Sequence, residues 1–304
     1  MTLTGWIIYN GSLQSKKFLD FAMMLQLAAK KQYIDTILFT NNQLLTYLYE
    51  QSKLLTKGEK NLPDFVIFTD KDIYLAQHLE MLGIPVFNRA EAIEISDDKI
   101  RTYQLLAKHH LPIPKTIVAP KAFSNHHLDH FYNLELIIET LRLPLIVKEA
   151  FGSFGEQVYL IHTKEELRKK VHEIHGKSFL FQQFIETSYG KDIRLQVVGN
   201  QVVTAMKRTS KNDFRANITT GGEMEAYYPS EREKTLAIQA TQAIGADFAG
   251  VDLLFGENEQ PIICEINSNA HIRNIYECTH INPADFIIDH IIQTLGIKDE
   301  KNDK

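Results

Sequence analysis

The chain has 304 residues, 44% of them apolar, and a formal net charge of −5. That length leaves room for two or three domains with sizeable cores, and the acidic balance excludes the basic footprint of a nucleic-acid binder. The two cysteines, Cys264 and Cys278, have no metal-type or redox-type spacing, the N-terminus lacks signal-peptide character, and no apolar run approaches the roughly 18 residues of a membrane span. A soluble cytoplasmic protein is expected, with no nucleic-acid or membrane partner.

The first third alternates strand and helix. Trp6 to Tyr9 is a short apolar strand, and Ser15 to Gln32 has helical spacing through Phe18, Phe21, Ala22 and Leu25. Thr36 to Thr40 reads as a second strand and Asn42 to Ser52 as a second helix, with a polar loop from Leu54 to Pro63. Phe65 to Thr69 is a third strand, a helix from Asp72 closes at Gly83, and Pro85 to Phe87 is a fourth strand. This alternation predicts a parallel, doubly wound sheet. Asn10-Gly11-Ser12 replaces the glycine fingerprint after the first strand, so no dinucleotide site is expected, and the domain is read as shaping a substrate pocket.

A helix follows in SDDKIRTYQLLAKHH, with Ser96 as its cap and Asp97 and Asp98 at its positive end. Lys99 sits in the first turn, where a cation is electrostatically misplaced. Two readings stand for it, a solvated lysine and a phosphate contact. Pro112 and Pro114 enforce an extended chain and mark a domain boundary near 97–112. His126, His127 and His130 fall in a polar run and read as surface histidines.

From Pro144 the pattern changes. Leu145 to Lys148 is an apolar strand ending in a cation, Phe151 to Gly155 is a glycine-spaced loop, and Val158 to His162 returns as a strand. Such a loop lets backbone N–H groups approach phosphate oxygens, and it is equally the turn of an ordinary hairpin. A helix over 164–175 and a strand over 179–185 follow. Asp192 to Gly199 and Gln201 to Thr209 form a hairpin about Gly199-Asn200. The non-periodic stretch 213–223 holds Arg215, Asn217 and Gly221-Gly222, which suits a surface loop or one lining a site. Ser230 and Glu233 form a capping box for the next helix.

Two strands, AGVDLLF and PIICEIN, come next, and a helix over 283–295 closes the fold. Glu265 and Asn267 are two apart and project to one side of their strand. Asp252 joins them only if the register allows, because a slip of one residue moves a side chain to the other face. A buried carboxylate pair needs a cationic partner, and the neighbouring sequence offers little Lys or Arg. A hard divalent cation would serve, and so would exposure on the solvent face of an edge hairpin.

The order of these pieces resembles the ATP-grasp superfamily, and most of all its RimK-like α-L-glutamate ligase branch. The resemblance runs from about residue 63 to 296, and DIRLQVVGNQVVTAMKR and DFRANITTGG carry it most specifically. It implies an ATP-grasp fold of mixed α/β and α+β class, behind an N-terminal doubly wound parallel domain of Rossmann-like, pre-ATP-grasp type. The expected divisions are 1–97 for that domain, 98–185 for a central and lid subdomain, 186–296 for a C-terminal subdomain and 297–304 for a flexible tail.

The resemblance further implies a carboxylate–amine ligase using ATP and Mg²⁺ or Mn²⁺, with one or two ions, an acyl-phosphate intermediate, and an amino acid such as glutamate as the amine. Its partners would be ATP, the amino acid and a carboxylate substrate, with a homo-oligomer possible. Lys99 and Lys148 would hold phosphates, under a loop of Gly152, Ser153, Phe154 and Gly155. Gln183 and Phe184 would hold adenine, and Asp192, Arg215 and Asn217 would contact nucleotide. Asp252, Glu265 and Asn267 would be metal ligands, and Arg208 and Arg215 would neutralise developing charge. A regulatory nucleotide-binding module and a kinase are the alternatives. Two positions depart from the pattern. Gln183 replaces a hinge glutamate, and Ser268 to Arg273 replaces a Pro-Gly turn, leaving His271 and Arg273 as either acidic-substrate contacts or structural residues.

Overall fold

The computed structural model describes residues 3–13, 15–57, 61–122, 132–153, 155–216 and 221–296. The three histidines of the 126–130 stretch and the tail 297–304 lie outside the described residues. The N-terminal region carries strands β1 (Thr4–Tyr9), β2 (Asp35–Thr40), β5 (Phe65–Phe68) and β6 (Val86–Phe87) in a parallel sheet of order β2-β1-β5-β6. Helix α1 (Lys16–Lys31) covers one face, packing on Ile7, Phe65 and Ile67. Helices α2 (Ile73–Met81) and α3 (Ala90–Asp97) cover the other, packing on Trp6, Ile8, Val66 and Phe68. The middle of β1 and all of β5 and β6 are buried on both faces, which explains their apolar runs without alternation, whereas the edge strand β2 keeps polar and exposed residues. Gly83 takes φ +79° at the end of α2, the left-handed turn expected of it.

The helix expected over 42–52 is absent. A 3₁₀ turn at Asn41–Gln43 leads to a hairpin of β3 (Leu45–Tyr47) and β4 (Lys53–Leu55). Leu44 is buried, whereas Leu45, Leu48 and Tyr49 are exposed, so a helical stripe has no core to face. Ser96 is not the cap of the following helix. It lies inside α3, and α4 (Lys99–Lys108) is capped by Asp98, which accepts from Ile100 N at 2.9 Å. The expectation missed α3 because its short apolar pattern merges with that of α4.

A second sheet is antiparallel, with β7 (Thr116–Val118), β10 (Phe179–Gln183), β8 (Leu145–Glu149) and β9 (Val158–Ile161) in that order. Helices α5 (Leu134–Leu141) and α6 (Lys164–Glu173) enclose its core. The third sheet is the largest, ordered β13 (Glu223–Ala226), β12 (Gln201–Thr209), β11 (Lys191–Val198), β14 (Phe248–Phe255) and β15 (Pro261–Asn267). Its odd-numbered residues Ile193, Leu195, Val251, Leu253 and Ile263 pack under α7 (Glu231–Ala243) and α4. The capping box of α7 forms as expected, Glu233 accepting from Ser230 N at 2.7 Å.

The opposite face of the third sheet is divided. At one end Val198, Met206 and Phe248 join α8 (Arg273–Thr279), α9 (Pro283–Thr294) and α1 in a core shared with the N-terminal sheet. At the other end the face is polar. Asn88 joins the two regions: its side chain donates to Phe248 O and Ser268 O, both at 2.9 Å, and accepts from Asp247 N and Phe248 N. Asn88 is fully buried. Replacing it with Ala removes four hydrogen bonds and strands their backbone partners, so Asn88→Ala is expected to destabilise by about 2–4 kcal/mol. A thermal melt checks this, and an unchanged midpoint contradicts it.

Candidate active site

The polar end of the third sheet faces the second sheet across an open cleft. Strand alternation decides which side chains enter it. Ile146 and Lys148 come from β8, Asp252 and Leu254 from β14, and Gln182 and Gln183 end β10. Asp252 stands directly opposite Glu265 in the β14–β15 register, and Asn267 lies opposite Gly250, so the three share one face. A bulge at this point leaves Cys264 without a cross-strand partner, which turns both Cys264 and Glu265 toward the cleft.

Four charged groups cross the sheet in an alternating row. Arg208 donates to both Asp192 oxygens at 2.6 and 2.7 Å, and its Nη2 lies 2.9 Å from Asp252 Oδ2. Arg194 donates to Asp252 through Nε and Nη2, both at 2.6 Å. This revises the expectation that cationic partners are scarce near the carboxylates. They come from β11 and β12, adjacent in the sheet and 44 or more residues away in sequence. Burial pushes the Asp252 pKa up, but the two guanidinium groups outweigh it and the net shift is downward. Burial and the nearby Asp252 raise Asp192 despite Arg208.

Lys148 is buried and donates to the Tyr103 hydroxyl at 3.0 Å, which in turn donates to Cys264 O at 2.5 Å. Burial opposes its charge, yet Cys264, Tyr103 and Glu265 prevail and its pKa rises. Lys99 starts α4 at the cleft wall and donates to Gly152 O at 3.0 Å; burial, with Lys148 and Lys71 close by, lowers its pKa. Arg215 lines the cleft, pairs with Asp213 and donates to Gly155 O at 2.5 Å. Both ends of the glycine loop therefore rest on cations by their carbonyls. Lys71, from the N-terminal domain, adds a contact to Ser153 Oγ at 3.1 Å and a pairing with Asp97. Burial pushes the Cys264 thiol up to about 11, so it is protonated at neutral pH and no nucleophile.

Of the expected residues, the cleft gathers Lys99, Lys148, Gly155, Gln183, Phe184, Asp192, Arg208, Arg215, Asp252 and Glu265. Gly152 and Ser153 are beside it, engaged by Lys99 and Lys71, and Asn267 lies two residues beyond Glu265 along β15. Phe154 and Asn217 lie outside the described residues. Sequence reasoning passed over Arg194, Cys264 and the apolar walls Ile146, Val158, Leu254 and Phe214. The i, i+2 relation to Lys148 and Asp252 points to Ile146 and Leu254; the bulge hides Cys264. Phe184 meets Tyr189 and Phe214 edge-on, 6.2 and 6.3 Å between centroids, forming an aromatic wall suited to a flat base.

Asp252, Glu265 and Asn267 are all oxygen donors, which suits a hard divalent cation. Among the described residues no three His, Cys, Asp or Glu side chains converge as a metal cage. An ion here would thus share its coordination with a bound ligand. The loop after β15 is stitched to the N-terminal domain: Ser96 donates to Ser268 at 2.7 Å, Asn269 to Asp70 O at 2.7 Å, and Arg273 to both Asp20 oxygens. Arg273 is therefore a structural staple. His271 is wedged between Phe18 and Phe21, and burial, with Lys17 and Arg194 adding, lowers its pKa to about 4. Asp20 acts in the opposite sense.

The folded value lies below the ordinary 6.5, so this stability is present above about pH 6.5 and is lost as pH falls toward 4. The contribution is at most about 3 kcal/mol. Histidine NMR titration is expected to find one imidazole still neutral at pH 5, missing from His271→Gln; a His271 midpoint near 6.5 refutes it.

Several known proteins share this architecture. A family model described as the RimK-like ATP-grasp domain matches residues 96–291. The chain is 33% identical over 253 residues to human N-acetylaspartylglutamate synthase A, covering 80% of this chain and 63% of that protein. It is 35% identical over 219 residues to a probable alpha-L-glutamate ligase of Legionella pneumophila (strain Corby), covering 71% of this chain and 69% of the other. A solved structure of the ATP-grasp ligase PsnB, complexed with minimal precursor, Mg, and ADP, superposes with a TM-score of 0.69 at 15% identity. The match covers 96% of this chain and 98% of that one, and at such identity it speaks for the fold.

Proposed function

The chain belongs to the RimK-like ATP-grasp family, and from that premise we propose that it joins an amino acid, glutamate or a close analogue, to a carboxylate substrate through an acyl phosphate. It is an ATP-dependent ligase. The finer reading rests on one observation above all. A single cleft collects Lys99, Lys148, Asp192, Arg208, Asp252 and Glu265 from six separate elements, with no nucleophile–base pair among them. Phosphoryl transfer to a carboxylate needs positioning and charge neutralisation and no covalent side-chain chemistry.

In this reading Lys99 and Lys148 hold the phosphates, with Tyr103 fixing the Lys148 ammonium. Ile146, Val158, Leu254 and Phe184 take the base. Gln183 takes the hinge position, where main-chain groups can contact the base whatever the side chain. Asp192 faces the nucleotide, and Arg208 neutralises charge on the transferring group from its seat on Asp192 and Asp252. Arg215 tethers the glycine loop and reaches the nucleotide with it.

Asp252, Glu265 and Asn267 would hold Mg²⁺, which when bound polarises phosphoryl oxygens. The shared face in the β14–β15 register supports that assignment. The amine attacks the acyl carbon, phosphate leaves, and an amide results. The human synthase and the Legionella ligase are named for products or substrates that contain glutamate, which favours an amino acid of that kind.

Purified protein incubated with ATP, Mg²⁺, glutamate and a panel of small carboxylic acids and peptides is expected to release ADP and phosphate. The product should gain the mass of one amino-acid residue. A stable phosphorylated product instead identifies a kinase, and normal ATP binding with no ADP formation across the panel sinks the ligase reading. Asp252→Asn and Glu265→Gln are each expected to lower turnover by about 100-fold or more without unfolding the protein; near-wild-type rates in both remove the metal assignment. Saturating ATP is expected to slow hydrogen exchange at Gly152–Gly155, and an unchanged exchange rate there counts against a closing loop.

A further inference from the structure

Arg194 is the charged member of the central row that the proposed chemistry leaves without a task. Its two hydrogen bonds both go to Asp252, one to each oxygen at 2.6 Å. Asp252 Oδ2 also faces Arg208 at 2.9 Å. The carboxylate thus has a guanidinium fork across both oxygens, the strongest geometry this pair of side chains can adopt. Arg208 is anchored on Asp192 as well and is almost fully buried, whereas among the described residues Arg194 has no second carboxylate as a hydrogen-bond partner and its side chain is 17% exposed. Of the two, Arg194 is the one free to leave.

Three further observations bear on what it does there. The walls of the cleft carry five cationic side chains, Lys99, Lys148, Lys191, Arg208 and Arg215, against the carboxylates Asp192, Asp252 and Glu265. A bare divalent cation entering that field is repelled, while a polyphosphate is attracted. No all-protein metal cage exists among the described residues, so the ion needs ligand oxygens to complete its shell. Gly250 lies beside the arginine's arm, where an added Cβ would stand 3.6 Å from Arg194 Cδ and Nε and 2.5 Å from the Ala270 Cβ. The glycine leaves a channel along which the guanidinium reaches Asp252.

We infer that Arg194 is an exchangeable counter-ion that closes Asp252 to a free divalent cation, so that metal enters only with the anionic nucleotide, whose phosphates draw the guanidinium away. This rests on the reading of Asp252 as a metal ligand. At the carboxylate a divalent cation takes the place of a univalent guanidinium, the extra positive charge is offset by the phosphates that arrive with it, and the departing group finds phosphate or substrate carboxylate oxygens in place of Asp252. Arg194 is on this account a positioning residue, and metal binding alone reports it.

The test uses full-length protein and Mn²⁺ as the probe, with free Mn²⁺ followed by electron paramagnetic resonance in the absence of nucleotide. Wild type is expected to bind Mn²⁺ weakly. Arg194→Met is expected to bind it at least about tenfold more tightly, with Arg194→Lys in between, because the lost fork unmasks the carboxylate. The gain should vanish in Arg194→Met/Asp252→Asn. Circular dichroism melts confirm folding, and the lysine variant, which keeps the charge, serves if the methionine variant does not fold. Water-proton relaxation enhancement with Mn²⁺ and a non-hydrolysable ATP analogue reports metal held in the ternary complex. Tight Mn²⁺ binding by wild type alone, or unchanged affinity in the variants while the ternary enhancement persists, overturns the counter-ion role and leaves the ligase reading standing. No enhancement in wild type with the analogue overturns the metal assignment, and the counter-ion role with it.

Discussion

The alternating row Asp192–Arg208–Asp252–Arg194 is the constraint on which the site depends. Two carboxylates buried on one sheet face would repel each other and resist leaving water. Interleaved guanidinium groups remove both difficulties at once, since each carboxylate receives a two-pronged set of charge-assisted hydrogen bonds. The strands are thereby allowed to present acids to a cleft while their other faces fill an apolar core under α7. The same row leaves the charges at the cleft balanced in pairs.

Around that row the chain divides the labour between elements of differing stiffness. The carboxylates and arginines stand on central strands of the largest sheet, paired on both sides. The strand that carries Glu265 and Asn267 is tied to the N-terminal domain immediately beyond its end, through Ser268 to Asn88 and Ser96 and through Asn269 to Asp70. The N-terminal sheet therefore shapes the site without contributing a fingerprint of its own. Asp70 follows the C-terminal end of β5, the central strand next to β1, where the strand order reverses, and such positions in open parallel sheets face ligands. The glycine loop, in contrast, is held at its rim by Lys99, Arg215 and Lys71 acting on carbonyl and hydroxyl oxygens.

Much of this was legible in the chain. The alternation of strands and helices up to residue 87 read correctly as a parallel sheet, because strands buried on both faces and helices with one apolar stripe leave distinct patterns. The hairpin at Gly199-Asn200, the capping box at Ser230 and the C-terminal glycine of α2 were local signals with local physics. The stretch 42–52 misled because a helical spacing of Leu and Tyr is a reason to form a helix only where a core awaits it; here Leu44 alone is buried and the rest became a hairpin. Glu265 and Asn267 were correctly placed on one side of their strand, since period two is a property of the strand itself.

The sequence alone determined which residues of one strand or helix share a face, and the order of motifs that marks the family. It could not determine which strand lies beside which, because that is a relation between segments set by the packing of whole layers. Register put Asp252 opposite Glu265, and a bulge with no sequence signature turned Cys264 inward beside them. Sheet order brought Arg194 and Arg208 to a carboxylate 58 and 44 residues further along the chain. A charge finds its counter-ion through space, across one or two of the 4.7–4.9 Å steps between strands, and only the folded sheet supplies that distance.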